Sequence, residues 1–226
     1  MKTIKSDNQY LRWIHKTGTA LVAVSVLVLL LTFLPVIKEE VKYQLWPQHK
    51  DVIVMTREMA QKELEKNTAQ SQAANDVIYP TDENFGIVVP KIGANTSVVP
   101  DVDWRDAFVY QRALTKGVAH AVGTAHPGEA GNIFIFSHSG VDFYEANRYN
   151  AQFYLLTKLV AGDEVYLFYK KQKFVYRVVE QKIVSPESVE YITGDTTKKT
   201  LTLMTCWPAG TTIRRLIVVA NQVENN

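Results

Sequence analysis

The stretch "TLTLMTCWPAGTTIRRLIVVA", residues 200–220, decides how the rest of the chain is read. Thr200 to Thr205 is built of strand-forming residues, and Leu216 to Ala220 is a second, strongly apolar run of the same kind. Between them, Trp207-Pro208-Ala209-Gly210 must break the first strand, because proline brings no N–H to a ladder and glycine favours a turn. Cys206 therefore stands at a strand end beside a loop, with Arg214 and Arg215 leading into the next strand, and it is the only cysteine in 226 residues.

A lone buried thiol is commonly just a small hydrophobe. A strand rim beside a loop is also where active-site nucleophiles sit. An ordinary thiol is only a few per cent thiolate at neutral pH, so a working nucleophile needs a base or a cation nearby. Of the five histidines, His15 and His49 fall near the N-terminus, leaving His120, His126 and His138. His138 follows the apolar run Ile133-Phe134-Ile135-Phe136 and so also stands at the end of a buried strand. Neighbouring strand residues point to opposite faces, so only one of Arg214 and Arg215 shares a side with the thiol. A guanidinium there would bring fixed positive charge and hydrogen bonds to an oxyanion.

The setting of this chemistry follows from the N-terminus. Residues 18–37, "GTALVAVSVLVLLLTFLPVI", carry no charge and are long enough as a helix to cross a bilayer core of about 30 Å. The apolar run exceeds that of a cleaved signal peptide, and no good cleavage site follows it, which points to a signal anchor. Lys2, Lys5, Arg12 and Lys16 precede it against Asp7 alone, which leaves residues 1–17 in the cytoplasm and the remainder outside. In an oxidising compartment a single cysteine is a free thiol or an intermolecular link. With 25 Lys and Arg against 23 Asp and Glu and no basic stripe, a nucleic-acid partner is not expected.

Residues 38–78 read as an extracytoplasmic stalk, helical over residues 48–76, which are rich in helix formers, or a flexible tether where the Gln/Ala/Asn/Ser composition takes over after Leu64. From residue 79 to 226 the texture is short β-type runs separated by turn residues, the pattern of a barrel or sandwich. "EVYLFYKKQKFVYRVVE" predicts a hairpin turning near Lys170 to Lys173, and "DWRDAFVYQRAL" a short helix capped by Asp103. His120 and His126 lack a matching carboxylate or thiol in the sequence pattern, so no metal site is expected.

Taken together, "GIVVPKIGANTSVV", "LTKGVAHAVGTAHPGEAGNIFIFSHS", "LTKLVAGDEVYLFY", "FVYRVVEQKIVSPESVEYI" and the 200–220 stretch resemble, in order and spacing, the sortases. These are the membrane-anchored cysteine transpeptidases of bacterial surfaces. The resemblance implies a mainly β fold, the eight-stranded sortase barrel with short helices. It implies Cys206 as nucleophile, His138 as acid/base and Arg215, which immediately precedes the final apolar strand, as oxyanion stabiliser. Thr205, Trp207 and Ser139 flank these positions and are candidate substrate-binding residues. Ser139-Gly140 and Trp207-Pro208 depart from the commoner family pattern. His120 in "GVAH" matches a recurrent family histidine outside the catalytic set.

The implied reaction is cleavage of an LPXTG-like C-terminal sorting motif through a thioester, with transfer to an amine of peptidoglycan or of a pilin lysine. The implied partners are surface proteins or pilins bearing that motif. No cofactor is expected; some sortases bind calcium on an acidic loop, and nothing in this sequence indicates one. Two other readings compete: a surface cysteine peptidase or hydrolase in which water takes the acyl group, and a non-catalytic peptide-binding module.

Overall fold

A computed structural model describes residues 4–45, 52–66, 77–139, 153–194 and 197–223. The chain divides into two compact units, residues 1–42 and 43–226. The described residues of the first lie within a single helix, α1 (Ile4–Leu45), in which Tyr10–Leu30 is long and apolar enough to cross a membrane.

In the second unit, a short strand β1 (Ile53–Val54) and a helix α2 (Arg57–Lys66) are followed by β2 (Val77–Ile78). Then come β3 (Phe85–Val89), β4 (Ala94–Val102), α3 (Ala107–Leu114), β5 (Val118–Ala121) and β6 (Gly131–Phe136). The hairpin β7 (Glu164–Tyr169) and β8 (Gln172–Val184), the short helix α4 (Glu190–Thr193), β9 (Lys199–Trp207) and β10 (Arg214–Gln222) complete it. Strands β3 to β10 close into an eight-stranded barrel in the order β10-β8-β7-β3-β4-β5-β6-β9.

Closure works because each strand carries its apolar residues with a period of two. Ile87 and Val89, Ile133 and Ile135, Leu201 and Leu203, and Leu216, Val218 and Ala220 all point inward into one core. Tyr176 and Val178 join them from β8, the parity its sequence predicts. At the β7–β8 turn, Lys170 and Lys171 both adopt positive φ (49° and 64°), as a two-residue hairpin turn with the strands' own twist requires.

Two patches of the outer face are also apolar, and each is covered. Phe134, Phe136, Ala119, Ala121 and Val102 form a second cluster with Ala113 and Leu114 of α3, and Tyr191 and Ile192 of α4 pack on it. Asp106 caps α3 by accepting from the N–H groups of Phe108 (2.9 Å) and Val109 (3.2 Å). Asp103, expected as that cap, is instead engaged by the amide and guanidinium of Arg105. On the other side Val88 and Phe168 are covered by Val54.

That last contact changes the reading of the stalk. Val52-Ile53-Val54 is a β-branched run, and it forms a strand paired in parallel with Val77–Ile78 instead of continuing a helix. Lys173 Nζ donates to Val54 O (3.0 Å), so this segment is fastened to the barrel. The helix begins only at Arg57, its first turn capped by Thr56, whose hydroxyl accepts from the Met59 amide (3.2 Å). The rest of the stalk expected to be helical, residues 48–51 and 67–76, lies outside the described residues, as do residues 140–152.

One buried side chain locks α4 to the barrel. Asn132, 3% exposed, accepts from the hydroxyls of Thr200 (3.0 Å) and Thr202 (2.8 Å) and donates to the carbonyls of Tyr191 (2.8 Å) and Ile192 (3.2 Å). All four of its hydrogen-bonding capacities are met. Gly194 closes over it at φ +56°, where an added Cβ would stand 2.4 Å from the Asn132 Cβ. Asn132→Ala is expected to cost about 2–3 kcal/mol by stranding buried partners. Thermal unfolding followed by circular dichroism checks this, and Gly194→Ala should produce a loss of similar sign.

Candidate active site

The barrel order β6-β9-β10 brings three strand ends together. β6 and β9 run parallel, from Gly131↔Lys199 to Phe136↔Met204, so their C-terminal ends lie side by side. β10 runs antiparallel to β9, so its first residues meet β9's last. Arg215 stands directly opposite Cys206 in that register, and Arg214 opposite Trp207. Directly opposed residues of an antiparallel pair share a face, with Cβ atoms about 4.5–5.5 Å apart.

On the other side, two bonds beyond the last ladder pair hold the chain after β6 against β9. The Ser137 N–H donates to Met204 O (3.1 Å), and the Thr205 hydroxyl donates to Ser137 O (3.0 Å). The Phe136↔Met204 register carried two residues further brings His138 level with Cys206 and on the same face. That face is the outside of the barrel, since Phe136 and Met204 belong to the outer apolar cluster. His138, Cys206 and Arg215 are all partly exposed there. Each side chain thus stands at the rim of a packed element, on three adjacent strands with the thiol in the middle.

Arg215 is oriented by its own loop: Nη1 donates to Thr212 O (3.0 Å) and Arg214 O (3.1 Å). The loop is closed by Thr211, whose N–H and hydroxyl both donate to Pro208 O (3.0 and 2.8 Å). At the same rim, the Ser185 hydroxyl and the residue's own backbone N–H hold the Glu187 carboxyl below the usual carboxylate range, with a smaller contribution from the charge of Arg215.

The family model for the sortase domain matches residues 87–223. The chain belongs to the sortase family. It is 29% identical over 158 residues to sortase D of Bacillus subtilis (strain 168), covering 67% of this chain and 71% of that one. Among solved structures, sortase A from Corynebacterium diphtheriae is 26% identical with a TM-score of 0.54, over 64% of this chain. This sortase spans 62% of that structure's length, less than two thirds. A Clostridium perfringens sortase D5 transpeptidase is 25% identical with a TM-score of 0.51, over 73% of this chain and 89% of its own.

Of the three flanking candidates for substrate contact, two are buried and one is partly exposed. Thr205 is 2% exposed and, being adjacent to Cys206 on a strand, points to the opposite face, where its hydroxyl ties β9 to Ser137. Trp207 shares that inward parity and packs against the barrel core. Ser139 is 3% exposed. Thr205 thus braces the rim from behind, while Trp207 keeps a partly exposed face.

The histidines of "GVAHAVGTAH" form a separate group toward the other end of the barrel. His120, fully buried, has a pKa lowered by desolvation and then by the neighbouring His126. The carboxylate missing from the sequence pattern is supplied by Asp101, whose Oδ1 lies 3.4 Å from His120 Nδ1 and 3.4 Å from His126 Nε2. Nineteen residues of separation hid this pairing, but a carboxylate near the end of a strand adjacent to β5 is the signal that would have found it.

Thr205→Val keeps the shape and removes the bond to Ser137 O. It is expected to cost about 1 kcal/mol of stability and to lower turnover while leaving Cys206 alkylable by iodoacetamide, because the His138 segment loses its anchor. Thr205→Ser should restore both. Melting and steady-state kinetics on the three proteins check this.

Proposed function

We propose that this sortase is a membrane-anchored cysteine transpeptidase that cleaves an LPXTG-like sorting motif and passes the acyl group to an amine. The observation that carries the reading is the alignment of His138, Cys206 and Arg215 on one outward face of three neighbouring strands. Membership of the sortase family supports it independently.

In this mechanism the Cys206 thiolate attacks the carbonyl carbon of the scissile peptide bond, and the carbonyl oxygen takes the negative charge. Arg215, across the strand pair from the thiol, donates to that oxygen. His138 in its charged form gives its proton to the departing amine as the C–N bond breaks, leaving a thioester on Sγ. The acceptor amine then attacks the thioester, loses a proton to His138, and expels the thiolate as the new amide forms. The substrates are surface proteins or pilins bearing the motif, and the acceptor is an amine of peptidoglycan or a pilin lysine.

Residues 18–37 serve as the anchor, with residues 1–17 cytoplasmic and the barrel outside. Tethering enzyme and membrane-bound substrate in one layer raises their effective concentration without new contacts. A peptidase reading differs only in letting water take the acyl group, and an outward-facing rim open to an incoming chain favours neither by itself. Product analysis separates them.

Intact-mass spectrometry of the full chain with LPXTG-like peptides and an amine such as triglycine is expected to show an acyl adduct on Cys206 and ligated peptide, both abolished in Cys206→Ala. Adduct with hydrolysed peptide alone would favour the peptidase, and no adduct with any motif would sink the catalytic reading. Arg215→Ala is expected to lower kcat/KM by about 10²–10³-fold, whereas Arg214→Ala, facing away beside Trp207, should stay near wild type. Equal losses in the two arginine variants would contradict the register argument.

A further inference from the structure

We propose that Asp101, His120 and His126 form a binding site for a divalent transition-metal ion, best matched to Zn2+, at the end of the barrel remote from Cys206. Three donors come from three separate places: a break in the β4–β5 register, the middle of β5, and the β5–β6 turn. Their ligand atoms all lie within 4.8 Å of one another.

The distances are those of ligands around one ion. Zinc bonds of about 2.0–2.1 Å in tetrahedral array put neighbouring ligand atoms about 3.3–3.4 Å apart. Asp101 Oδ1 stands 3.4 Å from His120 Nδ1 and 3.4 Å from His126 Nε2. Rotation of the partly exposed His126 ring closes the third side, and Asp101, 51% exposed, leaves the fourth position open to water.

The outer nitrogen of His120 is held as a metal-bound histidine is held, and that of His126 faces a carboxylate without being hydrogen-bonded to it. A ligating imidazole nearly always donates its second N–H to a carbonyl or carboxylate, which fixes the tautomer and turns the free lone pair to the ion. His120 Nε2 is 3.1 Å from Ala125 O, which can only accept, so that nitrogen carries the proton and Nδ1 presents its lone pair toward Asp101. The Thr124 hydroxyl also lies 2.9 Å from Nε2 while donating to Ala121 O. His126 Nδ1 lies 3.8 Å from Glu129 Oε2, a carboxylate already fixed by the His126 backbone N–H at 2.9 Å, which leaves Nε2 facing Asp101. The Asp101 amide now donates to His120 Nδ1 at 3.3 Å, a long bond that the ion replaces.

The backbone and the neighbours set the three groups in place. Asp101 adopts φ 53°, a left-handed conformation that a bulged strand uses to re-aim a side chain. Phe85 packs on both imidazoles, with centroids at 5.6 and 6.2 Å, and Tyr169 packs on His126 at 5.4 Å, so the buried His120 ring is fixed while the partly exposed His126 ring keeps room to turn. Two imidazoles with one carboxylate suit zinc, cobalt or nickel better than calcium or magnesium, which prefer all-oxygen shells.

His120 pairs with Ile135, three residues before His138, and it faces the barrel interior as Ile135 does, whereas His138 shares the outward parity of Phe136. The ion therefore clasps β4 to the β5–β6 turn and takes no part in the chemistry at the rim. Its effect is on stability.

The test uses the full chain in detergent, without a polyhistidine tag and with Cys206→Ala to remove the competing thiol. Titration with Zn2+ by calorimetry is expected to give one ion per chain, and Co2+ to give the intense visible absorption of a four-coordinate site. At a metal concentration about 100 times Kd the unfolding midpoint should rise by roughly 5–10 °C. Asp101→Asn and His126→Gln should each weaken binding by about 100-fold, and Glu129→Gln by about 10-fold. With Cys206 present, Asp101→Asn should leave metal-free transpeptidation unchanged. Absence of binding, or binding equally tight in the Asp101 and His126 variants, overturns the proposal.

Discussion

Parallel pairing of β6 with β9 is the constraint on which the rest depends. Parallel neighbours need a long crossover, and here the connection passes through the whole β7–β8 hairpin and α4 before the chain returns beside β6. The result is that two strands far apart in sequence end at the same rim. Adding β10 antiparallel to β9 then brings a strand beginning to the same place. Six backbone pairs from Gly131 to Phe136, together with the buried Asn132 that binds Thr200 and Thr202, hold this register. A slip of one residue would turn Cys206 inward and Thr205 outward.

The two faces of these strands divide the work. Inward residues make a core that closes the barrel, and outward residues of the same strands carry an apolar floor under α3 and α4 and, at its edge, the thiol, imidazole and guanidinium. The barrel is thus a rigid mount for side chains on its exterior. Residues immediately beside the reactive ones, Thr205 above all, hold the rim together from the inside.

Much of this was legible in the sequence because strands write their pattern locally. Alternating and β-branched runs located the barrel strands, and the breaks after Phe136 and at Pro208 placed His138 and Cys206 at strand ends. The choice of Arg215 over Arg214 followed from the resemblance, and the register puts Arg215 opposite the thiol. Period-two parity puts Thr205 and Trp207 on the face away from Cys206. The helical reading of the stalk failed at Val52-Ile53-Val54, whose β-branched side chains favour extended chain. Asp101 was different in kind: its approach to His120 and His126 rests on a left-handed residue at a strand irregularity, which no local pattern announces.

In the proposed mechanism Cys206 and Arg215 face one reacting carbonyl across the β9–β10 pair, with His138 completing the site from the chain after β6. The most direct measurement is a crystal structure of the enzyme carrying a sorting-motif peptide analogue linked covalently to the Cys206 sulfur. The carbonyl oxygen of the linked residue is expected within about 3 Å of the Arg215 guanidinium, and the His138 ring on the leaving-group side. A carbonyl oxygen held by Arg214 or by backbone amides alone, with Arg215 turned away, would contradict this mechanism.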